Sequence, residues 1–401
     1  MLFNNFSHLN ANPQYSPLSD LGGERLSLRT GQNHSEVPER LGGLPVAQLS
    51  GTATEIGLQH GKLFSADIRL CLKAYHSVWN GLSISERATF VDRQQKIIEK
   101  NFPQYAEEIH GIAKGSELPV GDIFSLNGRT EITLYQHQLQ ALRNQQSEPL
   151  ALECTLLGST DTKVMGENWD WAQCIEKITT LLHITRENDG HRILTLSEPG
   201  IIGKVGMNSA GLAVGLNFIP GTANNTGIPV HILLRSCLDS SSFAEVKERL
   251  IKLQEKKLLG TMSAISVMDK QGNAEVFEIL GSELVHTKDK SRTSFEHTNH
   301  PVLSPNGYGT EDLDNTLTRL ADARSLGAEQ PLTTERLKYI LADRSNPEHM
   351  INMQPQAWGA IGLVETIRSL VFDLENGMFH ISCGSPGSSA HALTYEQFKI
   401  Y

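Results

Sequence analysis

The chain has 401 residues, of which 39% are hydrophobic, 20% charged and 6% aromatic. This composition is typical of a globular protein rather than a disordered or fibrous one. The net charge of -10 and the pI near 5.8 argue against a nucleic-acid partner, because phosphate binding needs clustered Lys and Arg. No run of 18 apolar residues is present, so no membrane-spanning segment is expected. The first residues lack the features of a secretory signal, and we therefore expect a cytoplasmic protein.

The five cysteines are odd in number and form no CxxC pair. This pattern favours a reducing compartment over a disulfide framework. Four of them are expected to be small core residues, and these are Cys71, Cys174, Cys237 and Cys383. The remaining cysteine, Cys154, opens a predicted strand.

The first part of the chain is predicted to be mostly helical. Residues 1–45 are polar and lack an apolar period, so we expect a loose arm there. A short strand is expected over residues 44–49, followed by a helix that begins after Gly51 and runs toward Trp79. Three further helical patterns occupy residues 84–140. Their expected starts are Ser85, Pro103 and Gly121.

After Cys154 the pattern changes to short strands in blocks, with helices between the blocks. Strands are expected over 178–184, 192–196, 203–207, 212–218, 264–268, 274–279, 369–374 and 378–383. Helices are expected over 230–237, 242–253, 311–325 and 333–343. Because the strands do not alternate strictly with helices, the order indicates an α+β protein with antiparallel sheets covered by helices.

Cys154 is the candidate nucleophile. It opens a strand, and after a polar turn a second strand carries Asn168 and Asp170 on one face, because strand side chains alternate. A cysteine is nucleophilic only as the thiolate, and no histidine lies within this stretch to act as its base. The arrangement makes sense if Cys154 becomes a chain N-terminus, since an α-amine with a pKa of about 8 can take the thiol proton.

Several short motifs occur in one order along the chain. They are Glu55–Gly61, Asn127–Glu131, Cys154-Thr155, Gly166–Asp170, Gly200–Gly211 and His297–His300. With these motifs the chain resembles the acyl-coenzyme A:6-aminopenicillanate acyltransferase-like family, a branch of the N-terminal nucleophile hydrolases that includes β-alanyl-amine hydrolases. Motifs in series are a more specific signal than any one of them alone.

The resemblance implies a four-layer αββα sandwich in which two stacked antiparallel sheets are covered by helices. It also implies self-cleavage between Glu153 and Cys154, which would divide the chain into associated fragments 1–153 and 154–401. The first fragment would hold the arm and the helical segment 46–153. This chain departs from the family at Glu153, where a small residue, commonly Gly, often stands, and a carboxylate there would disfavour the thiolate.

The implied activity is the cleavage or transfer of the acyl group of an N-acylated small molecule through a thioester on Cys154. Asp170 is the candidate for holding the freed amine, with a turn or ion-pair role as the alternative. Asn299 resembles the oxyanion-hole amide of the family, with a turn residue before Pro301 as the alternative. Hydrolysis is preferred to transfer from coenzyme A, because no phosphate-binding motif is visible. An unprocessed, catalytically silent ligand-binding protein is the third alternative.

Other residues are candidates for substrate or oxyanion contacts. Arg129 and Glu131 either line the site or form a structural ion pair. Arg368 either binds a substrate carboxylate or a coenzyme phosphate, or is structural. Asn217 is a second possible donor, and Asn168 and His297 complete the set of candidate contacts.

Neither a metal nor a bound cofactor is expected. His297 and His300 stand three residues apart without a third ligand in a recognisable motif. The glycines between Gly200 and Gly211 form no nucleotide-binding loop and are better explained as turn and bulge positions. His60 is expected to be a hydrogen-bonded structural histidine rather than a base. A coenzyme A thioester is a possible co-substrate. The expected partners are the small-molecule substrate and the two fragments, which bind each other. The sequence leaves open whether the protein forms a homo-oligomer.

Overall fold

The computed structural model describes residues 38–143, 154–221, 227–286, 292–304, 313–358, 361–385 and 394–401. Glu153 and residues 1–37 of the expected arm lie outside these ranges. Among the described residues the strands form two sheets, one with nine strands and one with seven.

The first sheet is mostly antiparallel, with one parallel pair between its second and third strands. In spatial order its strands are β1 (Glu39–Leu41), β2 (Leu44–Gly51), β5 (Thr180–Arg186), β6 (Arg192–Ser197), β7 (Val205–Asn208), β8 (Leu212–Phe218), β9 (Thr261–Asp269), β10 (Ala274–Gly281) and β11 (Glu283–His286).

The second sheet is antiparallel throughout. In spatial order its strands are β12 (Ser294–His297), β3 (Thr155–Ser159), β4 (Val164–Ala172), β14 (Gly362–Asp373), β15 (Met378–Ser382) and β16 (Tyr395–Lys399), and β13 (Gln356–Trp358) pairs with β14 off this path.

The described ranges contain eleven α-helices. They are α1 (Ala53–Leu63), α2 (Ser65–Val78), α3 (Ile84–Asn101), α4 (Pro103–Ser116), α5 (Val120–Asn127), α6 (Arg129–Leu142), α7 (Gln173–Glu176), α8 (Val230–Leu238), α9 (Phe243–Glu255), α10 (Leu313–Ala328) and α11 (Thr334–Leu341). Helices α1, α8 and α9 contact the first sheet, and α10 and α11 contact the second. The expected αββα sandwich of the α+β class is confirmed.

Burial on both faces of a sheet explains why exposed polar residues do not alternate with buried apolar residues along its inner strands. All nine residues of β4 are buried, because one face of its sheet meets the first sheet and the other meets α11. Helix starts follow local capping chemistry instead. Thr52 and Glu55 form a capping box at α1, and Ser83 and Glu86 form one at α3.

Several sequence expectations need correction. Cys174 and Cys383, expected in the core, are exposed. Residues 39–45, expected in the loose arm, form β1 and the start of β2, joined by Gly42 and Gly43 with φ of 54° and 81°. This Gly-Gly pair is a hairpin signal that the polar composition obscured. The helical pattern expected to start at Gly121 is broken into α5 and α6 at Gly128, where a Cβ atom would lie 2.0 Å from Gln94 Oε1. No helix among the described ranges is both long and apolar enough to cross a membrane.

Helices α1 and α4 approach each other closely because glycines face each other across the contact. A Cβ on Gly61 would lie 2.2 Å from the carbonyl oxygen of Ile112, and a Cβ on Gly115 would lie 2.3 Å from that of Leu58. Backbone atoms cannot move aside as the end of a flexible side chain can. The pairing of these two helices therefore depends on glycine.

We expect Gly61→Ala to destabilise the protein by about 1–3 kcal/mol, because the added methyl group forces the two helices apart. The measurement is the thermal unfolding midpoint. The matched control is Gly121→Ala, where a Cβ meets no atom within 4 Å and alanine favours the helix. Equal midpoints for the two variants would contradict a glycine-dependent contact.

His60 connects α1 to the turn between β6 and β7. Its Nε2 accepts a hydrogen bond of 2.9 Å from the backbone N–H of Gly200, which requires the neutral ring. Burial is the main cause that lowers the pKa of His60 to about 3. The structural interpretation of this histidine is therefore favoured over a role as a base.

Acid should destabilise the protein through His60. The unfolded state takes up the proton near pH 6.5, whereas the folded state resists it down to about pH 3, so stability falls as pH drops through this window. We expect the wild type to lose about 1.4 kcal/mol per pH unit more than His60→Gln between pH 6.5 and 4.5. Glutamine keeps an acceptor for Gly200 without a titrating ring. Urea unfolding midpoints measured at stepped pH test this, and parallel pH curves would rule it out.

Candidate functional site

The backbone of Cys154, just before β3, is held from both sides. Its N–H donates a hydrogen bond of 2.8 Å to Asn299 Oδ1. Its carbonyl oxygen accepts from Asn217 Nδ2 and from Arg319 Nη1, both at 3.1 Å. These three side chains come from the loop after β12, from β8 and from α10. Four separate parts of the chain therefore meet at this one residue.

The thiol of Cys154 faces a narrow pocket between the two sheets. The side chains leave a cavity of about 30 Å³ for the centres of water-sized molecules, more than the roughly 10–15 Å³ that one water molecule needs on this measure. Residues lining the pocket include Arg129, Glu167, Trp169, Asp170, Trp171 and Lys204.

The environment keeps the thiol protonated in the continuous chain. Burial first, and then the charges of Asp170 and Glu167, raise the pKa of Cys154 to about 12, although a backbone hydrogen bond from Asp170 and the charge of Lys204 act in the opposite direction. Burial likewise raises the pKa of Glu167 to about 8. A thiol of this kind needs a nearby base to react at neutral pH.

Asn299 uses its side-chain oxygen, not its amide nitrogen, toward Cys154. The same oxygen accepts a hydrogen bond of 2.9 Å from Arg319 Nη2, and the amide nitrogen donates to the Phe218 carbonyl at 2.9 Å. The predicted oxyanion donor is thus an acceptor for the Cys154 N–H in the continuous chain. Donation into the pocket would require the amide group to leave Phe218.

Asp170 and Asn168 share a strand but differ in their surroundings. The Asp170 carboxylate accepts a hydrogen bond from the Thr366 hydroxyl, and the residue lines the Cys154 pocket. Asn168 donates to the carbonyl oxygens of Leu341 and Ile351, both at 2.8 Å, and accepts from Ser369. The amide of Asn168 therefore joins β4 to the layer that contains α11, and Asn168 does not line the pocket. Its contact with substrate stays a prediction.

Arg319, like Lys204 in the pocket lining, is a site residue that the sequence patterns did not indicate. It is fully buried, and its guanidinium donates to Thr155 Oγ1 at 2.8 Å and to Asn315 Oδ1 at 2.7 Å, besides its bonds to Cys154 and Asn299. Among the described residues no carboxylate forms a salt bridge with it. The sequence did contain a signal for Arg319, because it lies on the buried face of the helix predicted over 311–325, which the structure has as α10. The buried residues of that helix are Asn315, Thr316, Arg319, Leu320 and Ala323.

Arg129 lines the pocket but does not use Glu131 as its main partner. Its Nη2 forms a buried salt bridge of 2.7 Å with Glu198, which also accepts from the Tyr75 hydroxyl. The guanidinium lies over the ring of Trp171, 4.6 Å from its centroid. Glu131 instead accepts from the backbone N–H of Val230 at 2.9 Å. Arg129 therefore forms its ion pair with Glu198, just after β6, and not with Glu131 on its own helix.

Arg368 and His297 do not reach the pocket. Arg368 Nη1 lies 3.1 Å from Glu176 Oε1, and its Nη2 donates to the Glu176 carbonyl oxygen. Of the two interpretations left open for Arg368, these bonds favour the structural one. The ring of His297 lies between Glu278 Oε1, at 3.0 Å, and the carbonyl oxygen of Thr298. His297 therefore supports the loop that carries Asn299, and its contact with substrate stays a prediction.

His300 belongs to the same loop as Asn299. Its Nδ1 lies 3.0 Å from Thr316 Oγ1, in a cluster that also includes the hydroxyl of Thr298. Within the described part of the chain, no group of three His, Cys, Asp or Glu side chains is placed to hold a metal ion.

The chain is similar to proteins of known class. The family model described as acyl-coenzyme A:6-aminopenicillanic acid acyl-transferase matches residues 157–388. The acyl-coenzyme A:6-aminopenicillanic-acid-acyltransferase 40 kDa form of Emericella nidulans is 31% identical over 274 residues, which are 66% of this chain and 71% of that protein.

Two solved structures are more distantly similar. A variant of conjugated bile acid hydrolase from Clostridium perfringens is 14% identical with a TM-score of 0.39, over 62% of this chain and 92% of that one. Penicillin V acylase from Agrobacterium tumefaciens is 12% identical with a TM-score of 0.35, over 62% of this chain and 86% of that one.

Replacing Arg319 should disturb the site and the fold together. Arg319→Met removes one donor from each of four buried oxygens, of which the Cys154 carbonyl keeps Asn217 and Asn299 Oδ1 keeps the Cys154 N–H. We expect a loss of about 3 kcal/mol in the free energy of unfolding. Arg319→Lys should recover only part of this loss, because an ammonium group lacks the planar fork of the guanidinium. Urea unfolding measures both effects.

The matched control is Arg324→Met on the same helix. Arg324 Nε bonds Glu296 Oε2 at 3.3 Å, and its side chain is 41% exposed, so the expected change is below about 1 kcal/mol. Similar losses for the two Arg→Met variants would contradict the importance assigned to Arg319.

Proposed function

Because the chain belongs to the acyl-coenzyme A:6-aminopenicillanic acid acyl-transferase family, we propose that it is an autoprocessed cysteine amidohydrolase or acyltransferase that acts on N-acylated small molecules. The proposed nucleophile is Cys154. The observation that carries this proposal is the position of Cys154, with its N–H bonded to Asn299 Oδ1 and its thiol facing a pocket between the sheets.

In the proposed maturation, the Cys154 sulfur attacks the carbonyl carbon of residue 153. The peptide C–N bond breaks, the thiol proton passes to the departing nitrogen, and a thioester remains. Water then hydrolyses the thioester, which leaves a carboxylate on residue 153 and a free thiol and α-amine on Cys154. Support comes from the hydrogen bonds that hold both the N–H and the carbonyl group of Cys154, since they orient the groups next to the scissile bond.

The freed α-amine is the proposed base of the mature enzyme. In the continuous chain the pKa of the thiol is near 12, whereas an α-amine with a pKa of about 8 can accept the proton near neutral pH. The thiolate then attacks the substrate carbonyl, the amine leaves with a proton, and the acyl group stays on sulfur. Asn299 and Asp170 are the proposed partners of the new amine, because Asn299 Oδ1 already accepts from this nitrogen and Asp170 lines the same pocket.

The fragments 1–153 and 154–401 are proposed to stay associated after cleavage. Strand β2 pairs with β5 over six residue pairs, and Arg235 on α8 forms a buried salt bridge of 2.8 Å with Glu108 on α4. Asn127 bonds the backbone of both Gly200 and Ile202. These contacts join the two parts of the chain without using the peptide bond before Cys154.

Hydrolysis of a small amide is preferred to acyl transfer from coenzyme A, because no phosphate-binding motif is visible in the sequence. The second candidate is coenzyme A-dependent transfer, which the name of the Emericella nidulans relative favours. A third candidate is an unprocessed ligand-binding protein, which the carboxylate of Glu153 beside the scissile bond favours. The products distinguish hydrolysis from transfer.

The first experiment is intact mass under denaturing conditions on wild type, Cys154→Ala and Cys237→Ala. We expect two wild-type species with the masses calculated for residues 1–153 and 154–401, and one full-length Cys154→Ala species. Cys237 is also buried but lies on α8 outside the pocket, so Cys237→Ala should be cleaved like the wild type. A full-length wild type would sink the autoprocessing proposal.

Substrate assays then separate the three functions. The purified protein is incubated with a panel of N-acyl amino compounds, and separately with an acyl-coenzyme A and an acceptor amine. Release of a free acid favours the hydrolase, and a new amide favours the transferase. An intact chain without turnover on either set would leave the ligand-binding interpretation.

A further inference from the structure

The loop that carries Asn299 is attached to the first sheet through one buried carboxylate, that of Glu278 on β10. Its Oε1 accepts hydrogen bonds from the backbone N–H groups of Val302 and Leu303 and lies 3.0 Å from His297 Nε2. His297 ends β12 of the second sheet, and Asn299 follows two residues later. Glu278 therefore holds the loop on both sides of Asn299.

The ring of His297 lies between two acceptors. Its Nδ1 is 2.6 Å from the carbonyl oxygen of Thr298, and its Nε2 faces the Glu278 carboxylate. A carbonyl oxygen and a carboxylate only accept hydrogen bonds, so a ring that bonds both carries a proton on each nitrogen. The side chains of His297 and Glu278 are 1% and 0% exposed. The contact is therefore a buried imidazolium–carboxylate pair.

This ion pair has apolar surroundings. Val276 and Leu280, each two residues from Glu278 along β10 and therefore on the same face, are buried in a cluster that includes Phe218. The second oxygen of the carboxylate, Oε2, is buried and has no hydrogen-bond partner among the described residues. A buried ion pair is often no more stabilising than apolar residues of similar volume. Its place beside the Asn299 loop is better explained by a role in the site.

Helix α10 holds the remaining part of the loop. The N–H of Asn299 donates to Thr316 Oγ1 at 2.8 Å, and the Thr298 hydroxyl donates to the Thr316 carbonyl oxygen at 2.9 Å. His300 is the neutral histidine of this loop, because burial first, and then the charge of His297, lower its pKa to about 4. The backbone of Asn299 is thus bonded to α10, while the ion pair anchors the residues before and after it.

We propose that Glu278 and His297 are positioning residues for the reaction at Cys154, and that the charges of this pair hold Asn299 Oδ1 against the Cys154 nitrogen. This inference rests on the proposed function and assigns two further residues to it. Before cleavage the nitrogen is the backbone N–H, 2.8 Å from Asn299 Oδ1, and after cleavage it is the proposed α-amine. Neither Glu278 nor His297 lines the Cys154 pocket, so both act through Asn299.

The test compares Glu278→Gln, His297→Gln and the double variant. Each single substitution leaves one buried charge without its partner, whereas the double variant is neutral at both positions. We expect each single variant to slow self-cleavage and to lower kcat about 10–100-fold, with KM changed less than about 2-fold, because a misplacement of about 1 Å in a site costs up to about 100-fold. The double variant should recover about 10-fold of this loss.

The matched control is His286→Gln on β11, at the edge of the first sheet. His286 also contacts a carboxylate of β10, that of Glu275, but its side chain is 17% exposed and Glu275 keeps Lys247 as a partner at 2.9 Å. This variant should cleave itself and turn over like the wild type. Circular dichroism establishes a temperature at which every variant is folded, and the rates are compared there.

A second measurement does not depend on activity. In full-length Cys154→Ala the backbone N–H of residue 154 remains, and its hydrogen exchange is followed by NMR on protein with isotope-labelled alanine. We expect added Glu278→Gln to accelerate this exchange about 10-fold or more, because the bond to Asn299 Oδ1 opens more often. Added His286→Gln should leave the exchange unchanged.

Unchanged kcat and unchanged exchange in both single variants would overturn the inference, even if those variants unfold at a lower temperature, because the pair would then be only structural. Equal effects of His286→Gln would also overturn it. These outcomes are separate from failure of the proposed function. Faster exchange at residue 154 in a protein without cleavage or turnover would support the positioning role and reject the enzyme.

Discussion

The hydrogen bond from the Cys154 N–H to Asn299 Oδ1 is the interaction on which the site depends. Arg319 reinforces it by donating both to that oxygen and to the Cys154 carbonyl group. Once the backbone of Cys154 is fixed, strand geometry directs its thiol between the sheets. Glu167 and Trp169 line the same cavity because β4 pairs with β3 in a fixed register.

Buried charge is concentrated around this residue. Arg319 is compensated by neutral oxygens, while Arg129 and Lys204 share the carboxylate of Glu198. Such groups cost folding free energy, and apolar residues of similar volume would often be as stable. Their position beside one cysteine is therefore better explained by chemistry at that cysteine than by stability of the core.

The helical layer contributes to the pocket as well as to its covering. Arg129 on α6 and Tyr75 on α2 reach Glu198 in the segment between β6 and β7, and the Trp171 indole donates to the Tyr75 hydroxyl at 2.9 Å. Residues on both sides of the proposed cleavage point thus form one network. Close packing of α1 on α4 positions this layer, since glycine is required where their backbones meet.

The sequence by itself determined the fold class and most of the elements, and it singled out Cys154 as the candidate nucleophile, because apolar periodicity, turn residues and short motifs are local patterns. Only the tertiary structure decided which polar residues share the pocket. Asn168 and Arg368 bond elsewhere, whereas Lys204 and Arg319 converge on Cys154 from distant elements. The physical reason is that the partner of a buried polar group is set by packing across layers, which spacing along the chain does not encode.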